Sequence, residues 1–211
     1  MSKHQYSCHI KGSFLSHTRT MMPFTFEDRT GDLHRSDFDD IYDRMFFRIT
    51  PYPHVTSGNK NTLAVYVMGC RSTRRKDTRH LDRHPSVVLE FGETRPGLGT
   101  IYFTQSPSSS IPIPMHTYLR KTTFFGGSLS RKFRASDGRE YKWQHKSIDG
   151  HEWTCLSAEG YMVAHYDLRP PSIAVYGVSG NTLTIHEAYS NLCVDILASL
   201  TIMRYIAEHG L

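Results

Sequence analysis

The stretch that decides the fold is NLCVDILASLTIMRYIAEH, residues Asn191 to His209. Apolar residues recur there at helical spacing on one face and also on the others, which predicts a helix over residues 190–209 that is apolar on nearly every side. Such a helix has to be enclosed by protein or by lipid. Its uninterrupted apolar core is shorter than the roughly 18 residues that span a bilayer, and Asp195, Ser199 and Thr201 interrupt it. We therefore predict a helix enclosed by the rest of the chain.

The residues before this helix indicate short strands separated by turns. A hairpin is predicted over Arg131 to Trp143, because Asp137-Gly138 supplies a turn and apolar residues alternate on both sides of it. The acidic segment 27–43 is assigned only a turn, at residues 30–32. A loose extension, 1–22, is expected to precede one mainly β domain, 23–211. Further strands are predicted at 45–50, 63–68, 86–91, 100–104, 152–156, 161–166, 172–176 and 182–186.

Four segments together carry a family resemblance: RKFRASDGREYKW (131–143), EWTC (152–155), YMVAHYDLRPP (161–171) and LASLTIMRYI (197–206). They resemble a little-characterised domain family of mushroom-forming fungi, which we group with the tubby C-terminal-like, scramblase-like and LURP-one-related proteins. The resemblance implies a closed antiparallel β-barrel of about twelve strands around a hydrophobic C-terminal helix. Tubby domains bind phosphoinositide headgroups through basic surface residues, but the residues of that motif have no assigned counterpart in this chain.

Composition narrows the class of partner only weakly. The chain has 211 residues, a formal net charge of +5 and a pI near 9.0. The N-terminal residues have no signal-peptide pattern, and the four cysteines form no CxxC pair. We therefore expect a cytoplasmic protein, with a peripheral membrane or nuclear location as the alternatives. The basic charge is compatible with a phosphate-bearing partner, and it is also common in proteins that bind none.

Two basic clusters are candidate phosphate-binding surfaces, because guanidinium groups bind phosphate oxygens in pairs. The alternative for each cluster is a solvated surface whose charges pair locally. The first cluster lacks the interleaved aromatic residues that single-strand binders use, so nucleic acid is an unlikely partner. The first cluster comprises Arg71, Arg74, Arg75, Lys76 and Arg79, and the second, on the outer face of the hairpin, comprises Arg131, Lys132 and Arg134.

The sequence contains only weak evidence for a catalytic site or a metal site. The chain has no GxSxG, HExxH, P-loop or paired-glycine nucleotide motif, and His80 and His84 have no third metal ligand nearby. We therefore expect no metal or cofactor. Asp195 is the strongest candidate acid, because it lies in a polar line of the apolar helix; the alternative is a carboxylate bound by an arginine or by backbone N–H groups. Cys193, near the beginning of the helix, is a candidate low-pKa thiol, and a plain buried thiol is the favoured alternative. The candidate acid–base residues are Asp195, His165, Tyr166 and His116.

Two functions of different classes follow. The first is a non-enzymatic, tubby-like module that binds an anionic lipid headgroup or another phosphate-bearing ligand on its basic surface. The alternative is a small-molecule enzyme, of cyclase, isomerase or lyase type, with a pocket between barrel and helix. A cavity beside Asp195 would favour the second function, and a filled interior would disfavour it.

Overall fold

The computed structural model describes residues 22–52, 61–69, 84–92, 98–104, 111–123, 127–169 and 179–211. These residues are mainly β, with one 13-stranded antiparallel sheet. The helices are α1 (Met115–Tyr118), a 3-10 helix (Glu187–Leu192) and α2 (Cys193–His209). The strands are β1 (Phe24–Asp28), β2 (Ser36–Asp40), β3 (Phe46–Pro51), β4 (Thr62–Met68), β5 (Val87–Glu90), β6 (Thr100–Phe103), β7 (Ile113–Pro114), β8 (Arg120–Lys121), β9 (Arg131–Arg134), β10 (Glu140–His145), β11 (Trp153–Ser157), β12 (Met162–Asp167) and β13 (Asn181–Ile185).

The sheet has two edges. Its strand order is β7-β6-β5-β4-β3-β2-β1-β13-β12-β11-β10-β9-β8, and α1 joins the two edge strands along the chain. No ladder pairs β7 with β8 among the described residues. Each edge strand has only two residues, and Pro114 limits β7 because proline lacks the N–H that a ladder needs. The prediction of a mainly β structure around the helix is confirmed as one antiparallel sheet of thirteen described strands, and its closure into a barrel of about twelve strands stays a prediction.

The C-terminal helix α2 is buried on all sides, which confirms the prediction of an enclosed apolar helix. Of its 17 residues, 12 are buried. Tyr205 stacks on Phe91, with ring centroids 3.9 Å apart, and Ser199 accepts a 2.9 Å hydrogen bond from Trp143 of β10. The helix therefore contacts both halves of the sheet. Glu187–His209 is long and apolar enough to cross a membrane, but 72% of its apolar window is buried inside the protein, as in a core helix.

The predicted hairpin is present as β9 and β10. Its inward side chains, among them Phe133 and Trp143, are fully buried, and Gly138 takes the positive φ of 79° that the turn requires. The three residues of the turn are closed by a hydrogen bond from the Ala135 N–H to the Arg139 carbonyl. This turn carries Ser136 to the beginning of α2.

Strands β1 and β2 lie in the acidic segment for which the sequence predicted only a turn. Their pattern is unusual because aspartates occupy inward positions, with Asp28 fully buried and Asp40 at 5% exposure. Arginines that lie outside the two strands neutralise these aspartates. Arg204 of α2 contacts Asp28, and Arg44, four residues after Asp40, contacts Asp40 at 2.7 Å. Apolar and charged residues therefore share the inward face of β1 and β2. The sequence of these strands lacks the alternation of apolar and polar residues by which a strand is recognised.

Candidate functional site

A pocket of about 880 Å³ lies beside the beginning of α2. It is bounded by the turn of the β9–β10 hairpin, by α1 with the β6–β7 edge, and by the first turn of α2. The pocket lies between the two edges of the sheet, where no ladder hydrogen bonds occupy the space among the described strands. Its lining residues are Ser86, Phe103, Ile111, Ile113, Thr117, Tyr118, Arg120, Arg134, Ala135, Ser136, Glu140, Asn191, Val194 and Asp195.

One wall of the pocket is apolar. Phe103, Tyr118 and Val194 contribute to it, while Ile111 and Ile113 are 70% and 37% exposed at its mouth. Large aliphatic side chains exposed at the mouth of a concave site are typical of surfaces that bind apolar groups. The wall therefore suits a hydrocarbon portion of a ligand.

The Tyr118 hydroxyl is a polar group that the described residues leave without a hydrogen-bond partner. Its ring is 7% exposed and packs between Phe103 and Phe133. Burial, followed by the nearby Asp195 charge, raises the pKa of Tyr118 well above its usual value. The hydroxyl is thus a neutral donor at every physiological pH. The hydroxyl oxygen itself has almost no accessible surface, so it is a buried donor beside the pocket and does not face the open cavity.

Asp195, at the inner end of the pocket, is held by the hairpin turn. The backbone N–H of Ser136 donates to its Oδ1 at 3.0 Å, and the Ser136 hydroxyl donates to its Oδ2 at 2.8 Å. Burial is the largest influence and raises the pKa of Asp195, although the two Ser136 bonds oppose it. Asp195 was predicted as the leading acid, and it does line a pocket. Ser136 was missed, because a contact 59 residues away along the chain has no local signal.

The mouth of the pocket is basic on one side. Arg120 forms an exposed ion pair with Glu140, so its charge is largely compensated. Arg134, the last residue of β9, is exposed beside this pair and forms no ion pair with a described residue. Glu140 is the cross-strand neighbour of Arg134 and is already paired with Arg120, so the Arg134 guanidinium at the rim favours an anionic group on the ligand.

The other predicted acid–base residues do not reach the pocket. His116 is exposed on α1 and is not part of the lining. Tyr166 is buried among Asp28, Asn181 and Arg204, where its hydroxyl donates to Asp28 at 2.7 Å. His165 lies on the outer face of β12 with His151 and Asp167. The four candidates are therefore dispersed over four places.

Burial decides two further predictions. Arg131 was placed on the outer face of the hairpin, but it is 2% exposed, because it has the same strand parity as Phe133. Its guanidinium donates to the main-chain oxygens of Ser128, Ser130 and Leu211. Cys193 is the plain buried thiol that the sequence favoured, since burial, the largest influence, raises its pKa to about 12.

Lys132 and Arg134 remain exposed, as predicted for the outer face. Arg71, Arg74, Arg75, Lys76 and Arg79 lie outside the described residues, as do the extension 1–21 and the strand predicted at 172–176. The basic loop thus stays a prediction. Of the predicted ligand-binding residues, only Arg134 is part of the pocket.

Comparison with known proteins gives a family. The chain belongs to a family of unknown function, DUF6593, whose model matches residues 33–206. The matched range contains nearly all of the pocket, including Arg134 and Asp195, and it agrees with the prediction of a little-characterised domain family. No curated protein and no solved structure matches the chain. The predicted relation to tubby-like proteins stays a prediction.

Proposed function

We propose that this chain is a binding protein for an amphipathic small molecule that carries an anionic group, such as a phosphate-bearing lipid. The observation that supports this most is the composition of the pocket. Its inner wall is apolar, and Arg134 stands at its rim. A hydrocarbon portion would contact Phe103 and Val194, and an anionic group would accept hydrogen bonds from Arg134.

The proposal modifies the surface-binding hypothesis. In that hypothesis a headgroup binds on a basic outer face and the interior is filled. A cavity of about 880 Å³ lies within the usual range of small-molecule sites and offers apolar contact as well as charge. We therefore place the ligand between the hairpin turn and α2. The location we propose is cytoplasmic, with peripheral membrane contact when the ligand is a membrane lipid.

We also propose a tubby-like arrangement, in which the sheet curls into a barrel around α2. Its support is that α2 contacts both halves of the sheet and that α1 packs against strands near both edges. In this arrangement the pocket would occupy the seam between β7 and β8. The seam would then be the entrance for the ligand.

The test uses the purified full chain and three probes. Oleoyl lysophosphatidic acid has both an acyl chain and a phosphate, monooleoylglycerol has the chain alone, and inositol trisphosphate has phosphates alone. We expect the first probe to bind at least about ten-fold more tightly than either of the others, because only it uses both the apolar wall and Arg134.

The variant Arg134→Gln and its matched control Lys132→Gln separate the pocket from general charge. Both residues are exposed on the same face of β9, and only Arg134 lines the pocket. Losing one charge-assisted hydrogen bond should weaken lysophosphatidic acid binding about ten-fold or more for Arg134→Gln. Lys132→Gln should change it by less than about two-fold. Equal losses for both variants, or equal binding of all three probes, would contradict the pocket.

An enzymatic function is the second candidate, and the cavity beside Asp195 is the feature that the sequence analysis named as favouring it. We place it second because no further acid–base pair of the predicted set reaches that cavity among the described residues. Asp195 is a carboxyl group with a raised pKa at the inner end of the cavity. No histidine lies with it in the described lining, so Asp195 would act as the acid with Ser136 as its positioning partner. Turnover of a bound ligand that disappears in Asp195→Asn while binding persists would favour the enzyme; a ligand recovered unchanged would favour binding alone.

A further inference from the structure

The outer face of β12 carries a second cluster, which comprises His151, His165 and Asp167. His165 and Asp167 are two residues apart on β12 and therefore point to the same side of the sheet. His151 comes from the turn between β10 and β11. The N–H of the next residue, Glu152, donates to the Tyr166 carbonyl at 2.9 Å, which fixes this turn over β12. Strand pairing thus brings His151 next to His165 and Asp167, from which it is remote along the chain.

The three side chains converge on one point. His151 Nδ1 lies 2.5 Å from Oδ1 of Asp167, and His165 Nε2 lies 3.6 Å from Oδ2 of the same carboxylate. The two imidazole ring centroids are 4.2 Å apart. One ligand atom from each residue lies within 4.8 Å of the other two. In a tetrahedral zinc site the ligand atoms are about 3.3 Å apart, so side-chain adjustments of less than about 1 Å would suffice.

The cluster is sheltered and incompletely hydrogen-bonded. The side chains of His151, His165 and Asp167 are 21%, 17% and 28% exposed. Nδ1 of His165 is buried and has no hydrogen-bond partner among the described residues. The nitrogen that faces the Asp167 carboxylate is the other one, Nε2, so an ion between the three side chains would bind His165 through Nε2.

The charge state of the cluster suits a cation. Burial is the largest influence on His165 and lowers its pKa; Asp167 opposes this, and His151 and His186 add to it. A neutral imidazole coordinates a metal through the lone pair of a ring nitrogen, and the Asp167 carboxylate supplies an oxygen ligand beside the two rings. His186, the next histidine, is more distant, with its ring centroid 6.3 Å from that of His165.

We propose that His151, His165 and Asp167 bind a divalent transition-metal ion. Two imidazoles and one carboxylate are a ligand set for zinc, with a fourth position left to water or another small ligand. His151 also lines a cavity of about 320 Å³ with Gly150 and Leu168. This site is separate from the pocket: Glu140 at one end of β10 lines the pocket, and His151 lies beyond the other end.

The test is direct binding of Zn²⁺ to the full chain by titration calorimetry, with Co²⁺ absorption as the readout of the ligands. We expect one ion per chain and a cobalt spectrum of nitrogen and oxygen ligands. Asp167→Asn and His165→Gln should each weaken Zn²⁺ binding by more than about ten-fold. The control His116→Ala removes an exposed histidine outside the cluster and should leave binding unchanged.

Three results would overturn the proposal. The first is that the wild type does not bind Zn²⁺ tightly, and the second is that both cluster variants bind Zn²⁺ as tightly as the wild type does. The third is a thiolate-to-cobalt charge-transfer band, which would place the ion on cysteine. Circular dichroism shows whether each variant is folded. His151→Gln, at a turn position, is the substitute when a strand variant fails to fold.

Discussion

Asp28 and Arg204 form a buried ion pair that connects β1 to the C-terminal half of α2. Asp28 also accepts hydrogen bonds from the Tyr166 hydroxyl, the Ser36 hydroxyl and the Gly31 N–H, so its oxygens are fully used. Arg204 Nη1 lies 3.3 Å from Asp28, and Nη2 donates to the Gly31 carbonyl at 2.7 Å. A carboxylate can be retained in a core only with such compensation.

At this scale we predict that Arg204→Met lowers the free energy of unfolding by about 3 kcal/mol, because it leaves the Asp28 charge buried without its cation. The matched control is Arg120→Met, which removes an exposed ion pair with Glu140 and should cost less than about 1 kcal/mol. Urea unfolding followed by tryptophan fluorescence measures both. Equal costs for the two variants would mean that Arg204 does not compensate Asp28.

Individual residues differed in how well the sequence predicted them. The inward positions of Phe133 and Trp143 follow from alternation, because apolar side chains occupy one face. Arg131 lies on that same face, and a guanidinium there is invisible to the pattern until its main-chain acceptors are known. Asp195 was identified from its place in an apolar helix. Its partner Ser136 was not, because the contact depends on how the hairpin folds onto the helix.

Elements with a strong local pattern were predicted well, and those stabilised by distant partners were missed. The length and all-round apolarity of α2 are properties of its own residues. By contrast, β1 and β2 place aspartates inward, and their cations come from Arg204 and Arg44. Edge strands β7 and β8 have two residues each, too few to form a pattern. The two sheet edges, between which the pocket lies, could therefore not be predicted from the sequence.

The end of α2 carries an element-scale prediction. Gly210 has φ of +63° at the helix C-terminus, and its N–H donates to the Ile206 carbonyl. Gly210→Ala should lower the free energy of unfolding by about 1 kcal/mol from backbone conformation alone, since nothing lies within 4 Å of an added Cβ. Gly127→Ala is the matched control: it has equal space but no positive φ, and it should cost nothing. Thermal unfolding measures the stability of both variants. Equal losses of stability would contradict the explanation that the positive φ of Gly210 causes the effect.

At the scale of the whole molecule, the sheet and α2 are parts of one core. Buried residues from β1 to β13 and from α2 form a single hydrophobic cluster. The pocket lies where this core ends, between the two sheet edges and the first turn of α2. The same architecture that buries the helix thus leaves an accessible cavity of about 880 Å³ at this end of the core. The sequence predicted the enclosed helix; it did not predict the size of the cavity.

We propose that a ligand occupies this pocket, and the most direct test is a substitution whose side chain fills the pocket. Val194 is half-buried in the lining, so Val194→Trp would place an indole where the acyl chain is proposed to lie. The control Tyr161→Trp adds an indole at a 69% exposed position outside the pocket. We predict that Val194→Trp weakens binding of oleoyl lysophosphatidic acid by about ten-fold or more while the control binds as the wild type does. Unchanged binding by a folded Val194→Trp variant would contradict the claim.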